Sequence, residues 1–342
     1  MALGRYRRIL EATALAAIYG IVLWRTTDRP VDWDERLFVN VARNIRELGV
    51  PLRTFEAETP IMFFDHTPGI VYVSALLGAD LFWGRLATAI VGLAVVLVVA
   101  RHAGFLAGLA VIATPLFNTY AWYLRMELWM ALGLTVAVVL LAKRQWLAAG
   151  LAVAFAVAFK EVALGFLVVG LYVWWQAGFR NALRFGLPSL VVVSVWLAWA
   201  WSLAPGDLGL LAQRWLGSAV GDEEARYWGG PTWAIGLALI LLPVLALLAG
   251  GLIRRRPRGL EFALLGYVGL AVAASFVMTT KEPRFLMGVV PVAAMVGGVL
   301  LRRAPERDEV DRAVVVRRAG VLGRHLELEL DLRRGGDGDA GH

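Results

Sequence analysis

No cysteine occurs in the 342 residues, which excludes disulfides and thiolate chemistry and leaves the redox compartment unmarked. Histidine is nearly as scarce, with four residues and no metal-ligand spacing, so a zinc site is not expected. Charge is thin as well: 18% of residues are charged against 59% hydrophobic, and the apolar residues come in blocks. That is too much apolar surface for one soluble core, and it points to a polytopic membrane protein. No phosphate-binding glycine loop marks a nucleotide domain, and no internal repeat is visible.

What charge there is leans positive, with a formal net charge of +7. Arg and Lys stand in short clusters between apolar runs, never on the polar face of a soluble domain. The balance therefore reads as membrane topology rather than nucleic-acid binding. The amino end, with Arg5, Tyr6, Arg7 and Arg8 before an apolar run, resembles a signal peptide in charge and length and is expected to be an uncleaved anchor.

Apolar blocks at 9–24, 86–100, 105–123, 128–142, 146–159, 162–175, 187–203, 232–253, 260–279 and 285–301 read as about ten transmembrane helices. The stretch 70–83 is short: at 1.5 Å per residue it reaches about 20 Å, less than the roughly 30 Å hydrocarbon core. Charge decides its place. If it spans, Arg101, Lys143, Arg144, Arg180, Arg184, the arginines at 254–258, Arg302 and Arg303 all fall outside. If it lies on the outer leaflet, they fall inside with the amino terminus, as the positive-inside rule prefers. The expected fold is thus an all-α, polytopic integral membrane protein with both termini cytoplasmic in the plasma membrane. Residues 1–301 form the membrane domain, with an outer loop at 25–85 that includes a juxtamembrane helix. Residues 302–342 read as a charged, disordered cytoplasmic tail.

The outer connections then gather most of the chemically interesting polar residues at one face. From Asp34 to Leu48, the residues Leu37, Phe38, Val41, Ala42, Ile45 and Leu48 form one helical stripe, expected to lie on the bilayer. Asp32, Asp34 and Glu35 stand at its start. Acids there cap a helix and complement its dipole, but three carboxylates in four residues exceed what capping needs. Asp65 and His66 precede Pro68, an ordinary helix-entry residue, and His66 fits equally an interfacial aromatic. Arg125 and Glu127 sit at an outer mouth, where pairing with each other or snorkelling would also account for them. Lys160 and Glu161 divide a long apolar stretch and mark at least a hairpin. Lys281 and Arg284 form a basic cluster placed outside against the bias, which an anionic ligand at the outer surface would explain.

One carboxylate-bearing loop thus faces several cations at the membrane boundary. A glycosidase needs a second, protonated carboxylic acid because its leaving group is a poor alkoxide. A sugar leaving from a lipid phosphate departs as a stable anion, so one base and positive charge around the phosphate suffice.

At these residues the chain resembles the membrane-embedded GT-C glycosyltransferases, in particular the protein O-mannosyltransferase family and its bacterial relative, the lipid A 4-amino-4-deoxy-L-arabinose transferase. Asp34 and Glu35 with Arg36, Phe38, Ala42, Arg43 and Ile45 resemble the family's Asp-Glu loop. Phe63 to Gly69, Tyr123 to Trp129 with Glu127, and Arg284 with Phe285 through Pro291 resemble three further family segments, the first one residue shorter here. Glu127 and His66 depart from the residues commoner at those places. The resemblance implies that Asp34 is the catalytic base and that Glu35 helps orient groups around it. It implies a polyprenyl-phosphate-linked sugar as donor, attack by an acceptor hydroxyl with inversion, and Asp65, His66, Arg125, Glu127, Lys160, Lys281 and Arg284 around the substrate and lipid phosphate.

The expected function is therefore a membrane glycosyltransferase acting at the extracytoplasmic face, with no nucleic acid and no cofactor. A divalent cation is not predictable, and the acceptor, whether protein, lipid or glycan, stays open. A transporter or flippase of lipid-linked sugars is the competing class. It would place ionisable residues near the bilayer midplane and show paired broken helices. A membrane scaffold with a partner-binding tail leaves the Asp-Glu loop unexplained.

Overall fold

The computed structural model describes residues 2–55, 61–63, 66–203, 230–277 and 283–302. These are almost entirely helical. The only sheet among them is the antiparallel pair Leu52–Arg53 with Ile61–Met62, in which Leu52 faces Met62 and Arg53 faces Ile61.

In chain order the helices are α1 (Ala2–Trp24), α2 (Trp33–Leu48), α3 (Gly69–Leu76), α4 (Leu81–Ala103), α5 (Phe105–Ala113), α6 (Pro115–Tyr120), α7 (Met126–Ala142) and α8 (Trp146–Phe159). A 3-10 helix, Glu161–Val168, leads into α9 (Val169–Ala177) and α10 (Phe179–Leu203). Then come α11 (Gly230–Arg254), α12 (Leu260–Val277), a 3-10 turn at Pro283–Leu286, and α13 (Val289–Arg302). Three helices, Leu81–Ala103, Phe179–Leu203 and Ala234–Arg254, are long and apolar enough to cross a membrane, and five shorter apolar helices accompany them. This is the make-up of an integral membrane protein. The expectation of about ten spans is not carried as far as that, because several helices are short or broken. Of the expected tail at 302–342, Arg302 ends α13 and the rest lies outside the described residues.

The breaks have local causes. The apolar block at 105–123 does not form one span: α5 stops at Ala113, Thr114 is extended, and Pro115 opens α6. Proline has no N–H and disfavours helical backbone in the residue before it. Thr114 Oγ1 instead donates to the Ala110 carbonyl at 2.7 Å. The stretch at 70–83 is likewise divided. Gly78 and Ala79 both have positive φ and turn the chain, and Asp80 then caps α4 by accepting from Trp83 N at 3.1 Å. The stretch expected as one juxtamembrane helix is therefore α3 alone, while Phe82, Trp83 and Arg85 belong to the long apolar helix α4.

A second correction concerns α2. Its stripe of Leu37, Phe38, Val41 and Ala42 is buried inside the protein, not laid on lipid. Leu37, Phe38 and Val41 pack with Phe63, Ile70, Val71, Leu124, Met126 and Phe159, so α2 and α3 form a lid layer over the ends of α7 and α8. The amphipathic period is the same for either partner, which is why the pattern alone pointed to the bilayer.

The larger core lies among α1, α4, α5, α7, α8, α11 and α13. Helices in lipid associate by close backbone approach rather than by apolar burial, so small residues mark the contacts. At the crossing of α13 with α4, a Cβ on Gly298 would collide with the Ala103 carbonyl and come within 2.9 Å of the Ala107 Cβ. Gly266, on α12, faces open space. Gly298→Ala should therefore lower stability by about 1–3 kcal/mol through overpacking, whereas Gly266→Ala should be neutral or slightly stabilising. Thermal unfolding of both variants in detergent checks this, and equal midpoints would show that the α4–α13 crossing yields easily.

Candidate active site

The site is built from six segments, and the start of α2 is its hub. Asp32 is the N-cap, with Oδ1 accepting from Trp33 N at 2.6 Å, and Glu35 reaches back to accept from Asp32 N at 3.0 Å, forming a capping box. That box fixes the first turn and turns the two neighbouring acids in different directions.

Glu35 points inward and is fully buried. Arg85 of α4 grips it through Nε to Oε1 at 2.8 Å and Nη2 to Oε2 at 2.6 Å, and Leu124 N donates to Oε1 at 2.7 Å. With Asp32 N, four donors meet one carboxylate. Arg85 also donates to the Pro30 carbonyl and lies 5.6 Å from the Tyr123 ring centroid. Glu35, read from the sequence as orienting groups around Asp34, has both oxygens committed to these donors and holds segments together.

Asp34 points the other way, with 19% of its side chain exposed. Its Oδ2 is contacted by Arg125 and by Arg284, a residue 250 positions away in sequence. Arg125 also contacts Asp32 and lies over the rings of Tyr120 and Tyr123, at 5.5 and 5.9 Å. Beneath them Glu127 is completely buried in the first turn of α7, 3.2 Å from Lys160 Nζ and 3.9 Å from Arg284 Nε. Lys160 is buried too, although it is a lysine, and Glu127 is the counter-charge that permits it. The cations of the site are thereby threaded on carboxylates: Asp32 and Asp34 above, Glu127 below.

At the edge of this row, His66 Nδ1 lies 3.2 Å from Glu161 Oε1, at the joint between α8 and the helix that follows. Burial works against ionisation of Glu161, yet the His66 hydrogen bond and charge, with Lys160 beside it, hold its carboxyl below the ordinary value. Glu127 Oε2, Glu161 Oε2 and Thr67 Oγ1 are buried without a hydrogen-bond partner among the described residues, so the floor of the site keeps polar capacity unspent. Among the described residues no group of three or more His, Cys, Asp or Glu side chains could hold a metal ion.

Compared with solved structures, the chain is similar over 94% of its length to ArnT from Cupriavidus metallidurans in the apo state, with a TM-score of 0.66 and 17% identity. The crystal structure of ArnT from Cupriavidus metallidurans bound to undecaprenyl phosphate is similar at a TM-score of 0.64 and 18% identity, again over 94% of this chain. The fold is ArnT-like. The chain spans 65% and 64% of the length of those two ArnT chains, a little under two thirds. No protein-family model matches the sequence, and no curated protein does.

Within this ArnT-like fold, Asp34, Arg125, Glu127, Lys160 and Arg284 come together, and His66 stands beside them through Glu161. Asp65 and Lys281 lie outside the described residues. The residue that sequence reasoning missed is Arg85. Its signal was a lone arginine in the first turns of a long apolar span, where a charge is costly unless paired. Asp32 was visible as one of three clustered acids, and its contact with Arg125 needed the fold.

Two outcomes are expected. Glu35→Gln should cost about 3–5 kcal/mol by leaving Arg85 buried without its counter-charge. Glu35→Gln with Arg85→Gln should cost less than the sum of the two single changes, and a double-mutant cycle on detergent unfolding that shows simple additivity would dissolve the pair. The Glu161 carboxylate, with its folded value lowered, stabilises the protein above its unfolded value and loses that contribution as pH falls through the lowered one. His66→Ala should therefore move the acid edge of unfolding to higher pH, and an unchanged edge would remove His66 from the balance.

Proposed function

We propose that the chain is a GT-C-type membrane glycosyltransferase that moves a monosaccharide from a polyprenyl-phosphate donor to an acceptor hydroxyl, with inversion, at the extracytoplasmic face. The observation that carries this reading is the contact of Asp34 with both Arg125 and Arg284, which joins one partly buried carboxylate to two guanidinium groups at the starts of apolar helices. The likeness to an ArnT structure bound to undecaprenyl phosphate supports the same ligand class here.

The chemistry follows from the inventory. The donor's phosphate competes with Asp34 for Arg284 and Arg125, since a planar guanidinium binds phosphate oxygens as it binds a carboxylate. As the guanidinium groups turn to the phosphate, Asp34 is left to accept the proton of the acceptor hydroxyl. The hydroxyl oxygen attacks the anomeric carbon from the face opposite the phosphate, the bond to the phosphate oxygen breaks, and the lipid phosphate leaves with the electron pair. Arg284, Arg125 and Lys160 stabilise the charge that grows on it, with no general acid required. Glu127 holds Lys160 and Arg284 at their posts. Glu35 acts through position alone, by fixing the turn that carries Asp34. Asp65, His66 and Lys281 complete the set as further groups around the donor, and the membrane domain at 1–301 is the unit that carries the activity.

Purified protein incubated with a labelled polyprenyl-phosphate sugar and a hydroxyl acceptor tests the reading. Asp34→Asn should insert and unfold like the parent while losing transfer by about a hundredfold or more. Full transfer by this variant would remove Asp34 as the base. Label that crosses a vesicle membrane still attached to its lipid would assign the chain to transport instead.

A further inference from the structure

The end of the bundle away from the carboxylate cluster has a feature that glycosyl transfer does not use. Arg101 follows Arg85 by 16 residues on α4, about 24 Å along the axis. There the start of α1 and the ends of α4 and α13 surround a cavity of about 720 Å³. Its basic lining is Arg7, Arg8, Arg101, His102 and Arg302. Among the described residues the lining has one carboxylate, Glu11, bonded by Arg7 Nε at 2.8 Å.

Gly104, with φ +99, forms part of the wall, and a Cβ there would stand 3.1 Å from Arg302 Nε. The Arg302 side chain therefore lies across a residue that has no side chain of its own. A second cavity of about 320 Å³ shares Arg7, Glu11, Gly104 and Arg302 with the first. It runs on between Phe105, Leu106, Leu247 and Leu301 as an apolar groove.

Topology alone does not account for this arrangement. The positive-inside bias asks for basic residues near span ends, not for their convergence around a hollow. A helix carboxy terminus favours a cation, which explains Arg101 but not Arg8 or the groove.

We propose that the two joined cavities seat one anionic phospholipid, with its phosphate among the guanidinium groups of Arg8, Arg101 and Arg302 and an acyl chain in the groove beside Leu106. Guanidinium groups recognise phosphate by charge-assisted, paired hydrogen bonds, and basic pockets between spanning helices suit anionic head groups. The apolar groove selects a lipid over a free phosphate, because a soluble ion leaves it unfilled. Such a lipid bridges the first, fourth and last described helices and stabilises the folded state by binding it alone.

Native mass spectrometry of the full chain in detergent, titrated with phosphatidylglycerol, phosphatidylcholine or water-soluble glycerol phosphate, tests this. Phosphatidylglycerol is expected to bind selectively over phosphatidylcholine, and glycerol phosphate weakly. Replacing two guanidinium groups in Arg8→Gln with Arg101→Gln is expected to weaken phosphatidylglycerol binding by roughly twenty-five-fold, at about fivefold for each charge. Leu106→Trp leaves every charge in place, alters an exposed residue, and is expected to weaken the same lipid by filling the groove. It keeps the test standing should the double variant fail to fold. Unchanged phosphatidylglycerol affinity in the groove variant, equal binding of the two phospholipids, or glycerol phosphate binding as tightly as the lipid would overturn the proposal.

Discussion

The Glu35 carboxylate receives Arg85 on two atoms, Leu124 N and Asp32 N, and it does so with no solvent exposure. Stripping water from a carboxylate costs several kcal/mol, which is recovered only if the counter-charge and the remaining donors are all in place. The arrangement is therefore close to all-or-none. It fastens the first turn of α2 to α4 and to the backbone just before α7. Because the turn is rigid, its other acid, Asp34, has a fixed direction, towards Arg125 and Arg284.

The charges above and below Asp34 depend on this anchoring. Arg125 stands at the N-cap position of α7 and Glu127 in its first turn, so one helix start presents a cation to Asp34 and an anion to Arg284. Lys160 enters from the end of α8, where the backbone turns extended and releases its side chain towards Glu127. Each cation has a carboxylate within reach among helices that contribute almost nothing else polar. Low local dielectric strengthens every one of these contacts and would equally penalise any left unmade. The same setting makes an incoming phosphate an effective competitor for the guanidinium groups, which is the physical core of the transferase reading.

Much of this was legible in the amino acids. The acid cluster at 32–35 and the grouping of Arg125, Glu127, Lys160 and Arg284 with it followed from charges interrupting apolar runs. Other features were not. The α2 stripe looked like a membrane-surface helix because amphipathicity records that a face is buried, without recording what buries it. The 105–123 block looked like one span because hydropathy averages over the break that Pro115 makes. Arg85 looked like the end of a loop because a capping aspartate five residues earlier, Asp80, starts the helix sooner than the apolar run suggests.

Hydropathy and the sign of charge between apolar runs are local properties, and they alone determined that this is a helical membrane protein with its acids and a few exceptional cations near one end. Which acid meets which base was decided only by tertiary structure. Glu35 and Asp34 are adjacent and chemically almost equivalent in sequence, yet one is sealed against Arg85 and the other opens onto Arg284. The difference arises because successive helical residues point about 100° apart, so neighbours on one turn meet different helices, and the identity of those helices is set by packing far along the chain.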